Sequence, residues 1–232
     1  METVYLFDLD GTLTWPRRPM TPEHTILLRD FSAHHKVVVI TGSDWPKAVE
    51  QLNGLEQMLD VHTCAGNVFH RDGAQVEARH SDLLTDPVLM AELERFWQES
   101  PYQIKTGNHI EVRSGMLNVS VVGRNATQYQ RKEYNEYDSK TNERRIFAQN
   151  IQARFPSLHT AIGGEISIDL VEKNYDKSQV VAKLSNYRIE FFGDKVKKGG
   201  NDHEVAEAVR ASGGKIYEVG SPTETFEILE HL

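Results

Sequence analysis

The sequence predicts an α/β protein in which a parallel-sheet core is interrupted by a smaller α+β domain. Apolar runs at residues 4–7 and 37–40 are typical of short strands that a parallel sheet buries on both faces. A helical segment lies between them, which favours a right-handed strand–helix–strand unit. Further along, the chain changes to alternating strand patterns and charged helices. We therefore expect a core of residues 1–80 and 175–232 around an insert of residues 81–174.

Composition and charge exclude several classes of protein. With 232 residues, of which 39% are hydrophobic and 26% charged, the chain can build a substantial core and is not typical of a disordered protein. A net charge of −8 disfavours a nucleic-acid groove, which needs concentrated positive charge. No apolar run approaches the roughly 20 residues that span a bilayer. We expect neither a nucleic-acid partner nor a membrane partner.

The single cysteine and the N-terminal residues indicate the compartment. Cys64 is the one cysteine, so an intrachain disulfide is excluded and nothing indicates an oxidising environment. The chain begins with an apolar strand rather than with a charged segment followed by a long apolar core, so we expect no signal peptide. These features predict a cytoplasmic protein.

The first helix is predicted from its N-terminal residues. Thr21 suits the N-cap position, and Pro22 suits the first helical position because its fixed φ and missing N–H are tolerated there. Helical spacing then predicts that Ile26, Leu27 and Phe31 point inward.

Strand and turn patterns follow in the first half of the core. After the strand at residues 37–40, Pro46 opens a second helix, and residues 61–64 form a third predicted strand. Asp72 and Gly73 then lie between alternating residues. Because Asp-Gly is a favoured pair in tight turns, residues 68–80 are predicted to form a hairpin.

The insert combines antiparallel strands with helices. Asp86 and Pro87 begin an amphipathic helix. A single long charged helix is predicted over about residues 127–155. Its apolar stripe would consist of Tyr134, Tyr137, Ile146, Phe147 and Ile151. Alternating residues predict strands at 111–113, 116–121 and 165–170.

The core pattern returns after the insert, with helices and buried strands in alternation. The predicted elements are a helix opened at residues 176–178, a strand at 188–192, a helix ending at 211, a strand at 215–219 and a helix over 223–232.

Two aspartates directly follow the first strand. In an extended chain, the spacing of Asp8 and Asp10 sends both carboxylates to one side, and Gly11 then allows a sharp turn. Two close carboxylates repel each other and need a cation or a proton. Asp and Gly are also ordinary turn formers. The stretch Asp-Leu-Asp-Gly-Thr nevertheless resembles motif I of the haloacid dehalogenase (HAD) superfamily, in which the first Asp is the nucleophile and the second is the general acid/base.

Other polar residues follow later strands or open helices of the core. They are Ser43, Lys177, Asp194, Asn201 and Asp202. Ser43 and neighbouring N–H groups can hold a phosphoryl oxygen, whereas Lys177 would offset the clustered negative charge. Asp8 and Asp194 supply the carboxylates that Mg²⁺ prefers. Each residue alone has an ordinary explanation as a turn residue, a helix cap or a solvated lysine. Together they match what phosphoryl transfer through an aspartyl-phosphate requires.

Three arginines accompany the strands and the long helix of the insert. Arg113, Arg124 and Arg131 carry guanidinium groups that match phosphate oxygens bidentately. Ser167 and Asp169 alternate with apolar residues and therefore share one face of a strand. This set is a candidate site for a non-reacting phosphate or a sugar phosphate. The alternative is that these are surface arginines of a charged domain.

Longer motifs resemble the eukaryotic-type phosphomannomutases, and the similarity spans nearly the whole chain. Whereas Asp-x-Asp-Gly-Thr marks only the superfamily, this set of motifs is specific to the family. The motifs are residues 115–120, 123–124, 163–169, 175–177, 191–195 and 199–204.

The resemblance implies a fold, an activity and a site. The fold is a HAD-like Rossmannoid parallel-sheet core with an inserted α+β cap, which closes over the core and excludes water. The activity is the interconversion of mannose 1-phosphate and mannose 6-phosphate through a hexose 1,6-bisphosphate, which feeds GDP-mannose synthesis. Asp8 carries the phosphoryl group, and Asp10 is the acid/base. Family positions that bind the hexose phosphate map onto Arg17, Arg113, Arg124, Arg131, Ser167 and Asp169. Mg²⁺ ligands map onto Asp8, the Asp10 carbonyl and Asp194, with Asn201 and Asp202 nearby.

The chain departs from the family pattern at a few positions. Trp15 and Arg18 lie in the core loop, and Val121 and Val122 stand where the family commonly has a proline. Family members dimerise through the cap, so the resemblance implies a homodimer. His109 lies in the stretch where relatives place an aromatic residue at that interface.

Two other functions fit part of the pattern. A HAD sugar-phosphate phosphatase would use the same core but admit water. A catalytically silent sugar-phosphate binding module would keep the arginines; the intact set of Asp8, Asp10, Lys177 and Asp194 argues against it.

Overall fold

The computed structural model describes all 232 residues, which form two units by their internal contacts. The first, here the core unit, contains Met1–Arg79, Tyr175–Lys198 and Asp202–Leu232. The second, here the cap unit, contains His80–Asn174 and Gly199–Asn201. That the core unit is catalytic and the cap unit sets substrate specificity stays a prediction.

Eleven strands and eight helices make up the chain. The strands are β1 (Thr3–Asp8), β2 (Lys36–Ile40), β3 (Asp60–Thr63), β4 (Val68–Arg71), β5 (Ala74–Ala78), β6 (Ile110–Arg113), β7 (Met116–Ser120), β8 (Leu158–Gly163), β9 (Ser167–Glu172), β10 (Arg188–Gly193) and β11 (Lys215–Glu218). The helices are α1 (Pro22–His34), α2 (Trp45–Leu52), α3 (Pro87–Glu99), α4 (Gln128–Thr141), α5 (Glu143–Arg154), α6 (Gln179–Lys183), α7 (His203–Ala211) and α8 (Pro222–Leu229).

The core unit is built on a seven-stranded sheet in the order β11-β10-β1-β2-β3-β4-β5. The strands from β11 to β3 are parallel, and the β4–β5 hairpin is antiparallel. Because β1 lies between β10 and β2, its carboxyl end is flanked by the loops after both neighbours. The α/β fold with a mainly parallel sheet and a separate antiparallel sheet is confirmed.

Alternate side chains of the central strands enter two apolar layers. On β1, Tyr5 and Phe7 pack with residues of α1, α2 and α8, whereas Val4 and Leu6 pack with residues of α6 and α7. A side chain of this size contributes about 1.5–3 kcal/mol when fully buried. Burial on both faces explains why the core strands read as continuous apolar runs.

The start of α1 is as predicted, but its inward face is not. Thr21 is the N-cap and accepts a hydrogen bond from His24 N, with Pro22 at the first helical position. Leu28 and Phe31 are buried, whereas Ile26 is 55% exposed. The prediction that Ile26 points inward is therefore wrong. Leu28 and Phe31 are three residues apart and share the buried face of the helix, and Ile26 lies outside that face.

The cap unit contains a four-stranded antiparallel sheet in the order β6-β7-β9-β8. One face carries apolar side chains that pack on α3 and α5, including Leu117 and Val119 of β7. The other face carries polar side chains of β7 and β9, which pair across the strands as Asn118 with Asp169 and Ser120 with Ser167. The alternating pattern thus separates an apolar layer from a polar surface that is itself largely buried.

The single helix predicted over residues 127–155 is wrong. Two helices, α4 and α5, occupy this stretch, separated at Asn142, which has a left-handed φ of 54°. Asn tolerates this conformation better than most residues and so ends helices well. Ile146 is 53% exposed and does not continue the buried stripe. The strand β8, which follows α5, was not predicted.

None of the eight helices has both the length and the apolar character required to cross a membrane.

Candidate active site

Asp8 ends β1 as a buried carboxylate, and the chain turns immediately after it. The turn is closed by backbone bonds from Leu13 N and Thr14 N to Leu9 O, each 3.0 Å long. Asp8 is 3% exposed, and its Oδ2 accepts a hydrogen bond from Thr12 Oγ1 at 3.5 Å. The carboxylate of Asp8 therefore lies inside the protein, where neighbouring groups must balance its negative charge.

Gly11 brings this turn close to Asp194, which follows β10. Its φ is +93°, and a Cβ at this position would lie 2.5 Å from Asp194 Oδ2. Two requirements therefore select glycine here, the left-handed backbone and the lack of a side chain.

Lys177 lies between two carboxylates. Its Nζ donates to Asp8 Oδ1 at 2.5 Å and to Asp202 Oδ1 at 2.7 Å, and the lysine side chain is 3% exposed. Burial acts to lower the pKa of Lys177, but Asp202 and Asp8 outweigh it and raise the pKa above its ordinary value. Lys177 is thus held as an ammonium group.

Three carboxylates gather at the ends of β1 and β10 and before α7. Single oxygens of Asp8, Asp194 and Asp202 all lie within 4.8 Å of one another. Burial, followed by the charge of Asp202, raises the pKa of Asp8 well above its ordinary value, and Lys177 opposes this. Burial also raises the pKa of Asp194, against the effect of Lys195. The two ammonium groups of Lys177 and Lys195 face three carboxylates, so one negative charge at this point is uncompensated.

The donor set fits a divalent cation. Asp194 Oδ1 is buried and has no hydrogen-bond partner, whereas Asp194 Oδ2 accepts from Lys195 Nζ at 3.2 Å. Both oxygens of Asp202 are engaged, Oδ1 by Lys177 and Oδ2 by Lys195 N at 3.2 Å. Carboxylate oxygens are the preferred ligands of hard cations such as Mg²⁺. The free Oδ1 of Asp194 is the position where a cation would complete the site.

Asp10 is separate from this group and faces a different set of donors. Its Oδ1 accepts from Arg17 N at 3.2 Å and from Gln51 Nε2 at 3.0 Å, and its Oδ2 accepts from Ser43 Oγ at 3.3 Å. Asp10 is half-buried, unlike Asp8. The two aspartates of the motif therefore differ in environment: Asp8 is bound by an ammonium group, and Asp10 only by neutral donors.

Ser43 and Arg17 meet at Asp10 through different atoms. The loop after β2 carries Ser43, whose N donates to Thr41 Oγ1 at 3.0 Å and whose carbonyl accepts from Cys64 N at 2.9 Å. Arg17 reaches Asp10 with its backbone N–H and has a left-handed φ of 58°.

The remaining predicted residues belong to the cap unit. Asn201 lies in the Gly199–Asn201 segment, and Ile162 N of β8 donates to Gly199 O at 3.4 Å. Asn201 Oδ1 is buried and has no hydrogen-bond partner. Its assignment as a metal ligand stays a prediction.

Two cap arginines share one glutamate. Arg113 forms a short contact with Glu111 Oε2, and Arg124 Nε lies 3.2 Å from the same oxygen. Arg124 Nη1 also donates to Ser167 Oγ at 2.8 Å. These arginine side chains are only 4% and 9% exposed. The structure therefore brings Arg113, Arg124 and Ser167 together, and they are not freely solvated surface residues.

The other two predicted cap residues are also fixed by neighbours. Arg131, on α4, pairs with Glu165 Oε2 at 3.3 Å through Nε. Asp169 Oδ1 accepts from Asn118 Nδ2 at 2.6 Å, and a Cβ at Gly163 would lie 2.5 Å from Asp169 Oδ2. Asp169 is thus held in one orientation by a cross-strand amide and by a glycine that leaves room for it.

Several residues of these networks were not predicted from the sequence. They are Thr12, Gln51, Glu111, Asn118, Arg144 and Lys195. Buried Arg144 pairs with Asp138 at 2.8 Å and donates to the Ser167 carbonyl at 3.2 Å, which links α5 to the start of β9. Thr12 and Lys195 lie within the quoted motifs, and Asn118 interrupts the alternating pattern of β7, whereas no sequence signal distinguished Gln51, Glu111 and Arg144.

Solved structures of other proteins share this fold, a mainly parallel sheet with a separate antiparallel sheet. The C-terminal domain of trehalose-6-phosphate phosphatase from C. albicans has the same fold, with a TM-score of 0.69 at 13% identity over 99% of this chain and 92% of that one. A Thermoplasma acidophilum structure matches with a TM-score of 0.62 at 16% identity over 100% and 98%.

Sequence comparison gives the family. The model of eukaryotic phosphomannomutases matches residues 25–232. A phosphomannomutase of Arabidopsis thaliana is 37% identical over 96% of this chain and 93% of its own length. One from Oryza sativa subsp. indica is 38% identical over 96% and 92%. The chain belongs to the eukaryotic phosphomannomutase family.

Proposed function

We propose that the chain is a phosphomannomutase, an isomerase that interconverts mannose 1-phosphate and mannose 6-phosphate and feeds GDP-mannose synthesis. The family match carries the proposal, because it extends over residues 25–232 and so includes the whole insert as well as most of the core. The phosphatases share the fold at much lower identity, 13% for the C. albicans domain.

In the first half-reaction, an oxygen of Asp8 bonds to a phosphorus atom of hexose 1,6-bisphosphate as the bond from phosphorus to the sugar oxygen breaks. The products are an aspartyl-phosphate and a hexose monophosphate. Asp10 gives a proton to the departing sugar oxygen. Lys177 and Ser43 would donate hydrogen bonds to the phosphoryl oxygens, as their positions beside Asp8 and Asp10 suggest.

In the second half-reaction, the free hydroxyl of a hexose monophosphate attacks the phosphoryl group on Asp8. Asp10 now takes the proton of that hydroxyl, so the same carboxyl group acts once as acid and once as base. This attack forms a hexose 1,6-bisphosphate, which must turn end for end before Asp8 accepts its other phosphoryl group. The phosphate that is not reacting therefore needs a binding site of its own.

We assign that second phosphate site to Arg113, Arg124, Arg131, Ser167 and Asp169 of the cap unit, and we propose Arg17 of the core unit as a further substrate-binding residue. The assignment is supported by the fixed positions of the cap arginines, since guanidinium groups already ordered by Glu111 and Glu165 lose little freedom when they bind phosphate. Asp169 and Ser167 lie on the same face of β9 and suit sugar hydroxyls.

Asp8, Asp194 and Asp202 would hold Mg²⁺, with the Asp10 carbonyl and Asn201. When bound, the ion would neutralise charge on the phosphoryl group during transfer. Burial is the largest cause of the raised pKa values of Asp8 and Asp194, and a bound cation would stabilise both carboxylates in their charged form. We also propose a cytoplasmic homodimer that forms through the cap unit.

One assay tests the proposal. The protein is incubated with mannose 1-phosphate, Mg²⁺ and a trace of hexose 1,6-bisphosphate, and both phosphoesters and free phosphate are measured. We expect mannose 6-phosphate without comparable free phosphate. Mostly free phosphate would instead identify a sugar-phosphate phosphatase, and a lack of turnover with tight sugar-phosphate binding would identify a binding module.

A further inference from the structure

Gln51 is a buried glutamine that contacts the second aspartate of the motif. It lies in the last turn of α2 and is 2% exposed. Its Nε2 donates to Asp10 Oδ1 at 3.0 Å and to Thr14 Oγ1 at 2.8 Å. A carboxylate can only accept, so the contact with Asp10 requires the NH₂ end of the amide to face it. The buried amide of Gln51 therefore fixes the orientation of the Asp10 carboxylate just after β1.

The donors to Asp10 are distributed unequally between its two oxygens. Oδ1 accepts from two N–H groups, those of Arg17 and Gln51, and neither group can reverse its role. Oδ2 accepts only from the hydroxyl of Ser43, at 3.3 Å. A hydroxyl can rotate and accept instead of donate. Oδ2 is thus the oxygen that can carry or release a proton without leaving an N–H group unpaired.

Gln51 also fixes the loop that carries Asp10. Its backbone carbonyl accepts from Met20 N at 2.8 Å, and Thr14 Oγ1 donates onward to Leu9 O at 3.3 Å. One residue of α2 therefore holds the loop after β1 at both of its ends. Displacement of Gln51 would change the direction of the Asp10 carboxylate as well as its hydrogen bonding.

We propose that Gln51 is a positioning residue that holds Asp10 by Oδ1 and leaves Oδ2 to exchange the proton with the sugar oxygen. The proposal rests on the proposed phosphoryl transfer through Asp8 with Asp10 as acid/base. Gln51 would act through Asp10 rather than on the phosphoryl group or the sugar. Its effect is confined to steps in which the leaving or attacking oxygen needs proton transfer.

Leaving groups of different basicity test this role. Phosphorylation of Asp8 by 4-nitrophenyl phosphate needs little acid assistance, because 4-nitrophenolate is a good leaving group, whereas phenyl phosphate and mannose 1-phosphate need it. Rapid-mixing measurements of phenol release with Mg²⁺ report this step directly. Positioned acid–base groups contribute about 10²–10⁴-fold. For Gln51→Met, we expect a loss of about 10- to 100-fold with phenyl phosphate and less than about threefold with 4-nitrophenyl phosphate.

A buried substitution in the same helix is the matched control. Leu52→Val perturbs the adjacent, fully buried side chain without contacting Asp10, and it should leave the ratio of the two rates unchanged. If Gln51→Met does not fold, Thr14→Val is the smaller change, since it keeps the amide of Gln51 and removes its second acceptor together with the bond from Thr14 Oγ1 to Leu9 O. It should produce the same selective loss with a smaller amplitude.

Equal losses for both esters in a folded variant would overturn the proposal, because they would indicate a general structural role. Unchanged rates with phenyl phosphate would overturn it as well. Failure of the proposed function is a separate result. Suppose that the wild-type protein released only free phosphate from mannose 1-phosphate, and that Gln51→Met still lost activity selectively with phenyl phosphate. The mutase assignment would then fail, and the role of Gln51 would stand.

Discussion

At the scale of single residues, Asp194 lies so close to Gly11 that a side chain at position 11 would collide with it. Because Gly11 has no side chain, Asp194 Oδ2 can lie against it, and the other oxygen of Asp194, Oδ1, has no hydrogen-bond partner and is the proposed metal ligand. Glycine is therefore required for the position of Asp194, beyond its ability to turn the backbone. A substitution here should affect metal binding and folding to different degrees.

Gly11→Ala should weaken Mg²⁺ binding more than an alanine that only strains a left-handed turn. We expect the affinity, measured by calorimetry or by the Mg²⁺-induced rise in Tm, to fall at least about tenfold, a loss of about 1.4 kcal/mol. Gly54→Ala is the control, because Gly54 has a similar φ of +97° but open space around it. Gly54→Ala introduces the same backbone strain, about 1–2 kcal/mol, and this variant should keep its affinity for Mg²⁺. Equal affinities in the two variants would contradict the argument.

Arg124→Ala should impair substrate binding more than stability. Removing this guanidinium leaves Glu111 paired with Arg113, so no buried carboxylate is left alone. We expect KM for mannose 1-phosphate to rise more than about tenfold, because a charge-assisted phosphate contact contributes about 1.5–3 kcal/mol.

Arg95→Ala, which removes an exposed partner of Glu92 on α3, is the matched control and should leave KM unchanged. A large loss of Tm with a normal KM in Arg124→Ala would show instead that Arg124 is structural.

The sequence predicts residues that carry chemistry better than residues that hold them. Asp8, Asp10 and Lys177 belong to motifs with a fixed order along the chain, which a reader of the sequence can recognise. Gln51 lies 41 residues from Asp10, and its contact depends on how α2 packs beside the loop after β1. A glutamine in a helix has no feature that distinguishes such a contact from solvent exposure.

At the scale of elements, strands were easier to predict than helix ends and faces. Apolar runs such as β2 are unambiguous because both faces are buried. The division between α4 and α5 depends on a single left-handed residue, Asn142, and charged residues on either side continue the helical pattern. The strand β8 has mostly half-buried residues, which weakens the apolar alternation on which its prediction would depend.

The strand β3 contains a buried histidine that makes the stability of the folded protein depend on pH. His62 is buried, and desolvation, with a smaller contribution from Lys183, lowers the pKa of His62 from 6.5 to about 4. Between these values the unfolded chain binds a proton that the folded protein does not, so stability is present above pH 6.5 and is lost as pH falls toward 4. The loss from this residue amounts to about 3 kcal/mol.

Chemical denaturation of wild type and His62→Phe at several pH values measures this loss. Phenylalanine preserves a ring that can stack on Phe69 but cannot titrate. The difference in free energy of unfolding between the two proteins should therefore change by about 3 kcal/mol across this interval. His231→Phe, at an exposed position near the C-terminus, should follow the wild-type curve. Parallel curves for wild type and His62→Phe would exclude this role of His62.

At the scale of the whole molecule, one residue holds both ends of the core where the insert leaves and returns. Asn67 O accepts from Arg79 N at 2.8 Å, and Asn67 Nδ2 donates to Tyr175 O at 3.0 Å. The Arg79 guanidinium also lies over the Tyr175 ring at 3.4 Å. Asn67 follows a turn in which Cys64, Ala65 and Gly66 all have positive φ. The core unit thus closes its own chain ends with internal bonds.

This closure predicts that the core unit folds without residues 80–174. A chain in which a short glycine–serine linker joins Arg79 to Tyr175 keeps the seven-stranded sheet, both apolar layers and the three carboxylates. We expect a cooperative thermal transition, a Tm that rises with Mg²⁺, and phosphorylation of Asp8 by a small phosphate ester. Because the shortened chain would lack the proposed second phosphate site and the proposed water-excluding insert, mutase activity should fall by at least about 10³-fold, while ester hydrolysis persists. The same chain with Asp8→Asn should lose hydrolysis and keep its fold. Retained mutase activity in the shortened chain would show that the insert is dispensable for transfer, and the cap arginines would then have to be given another role.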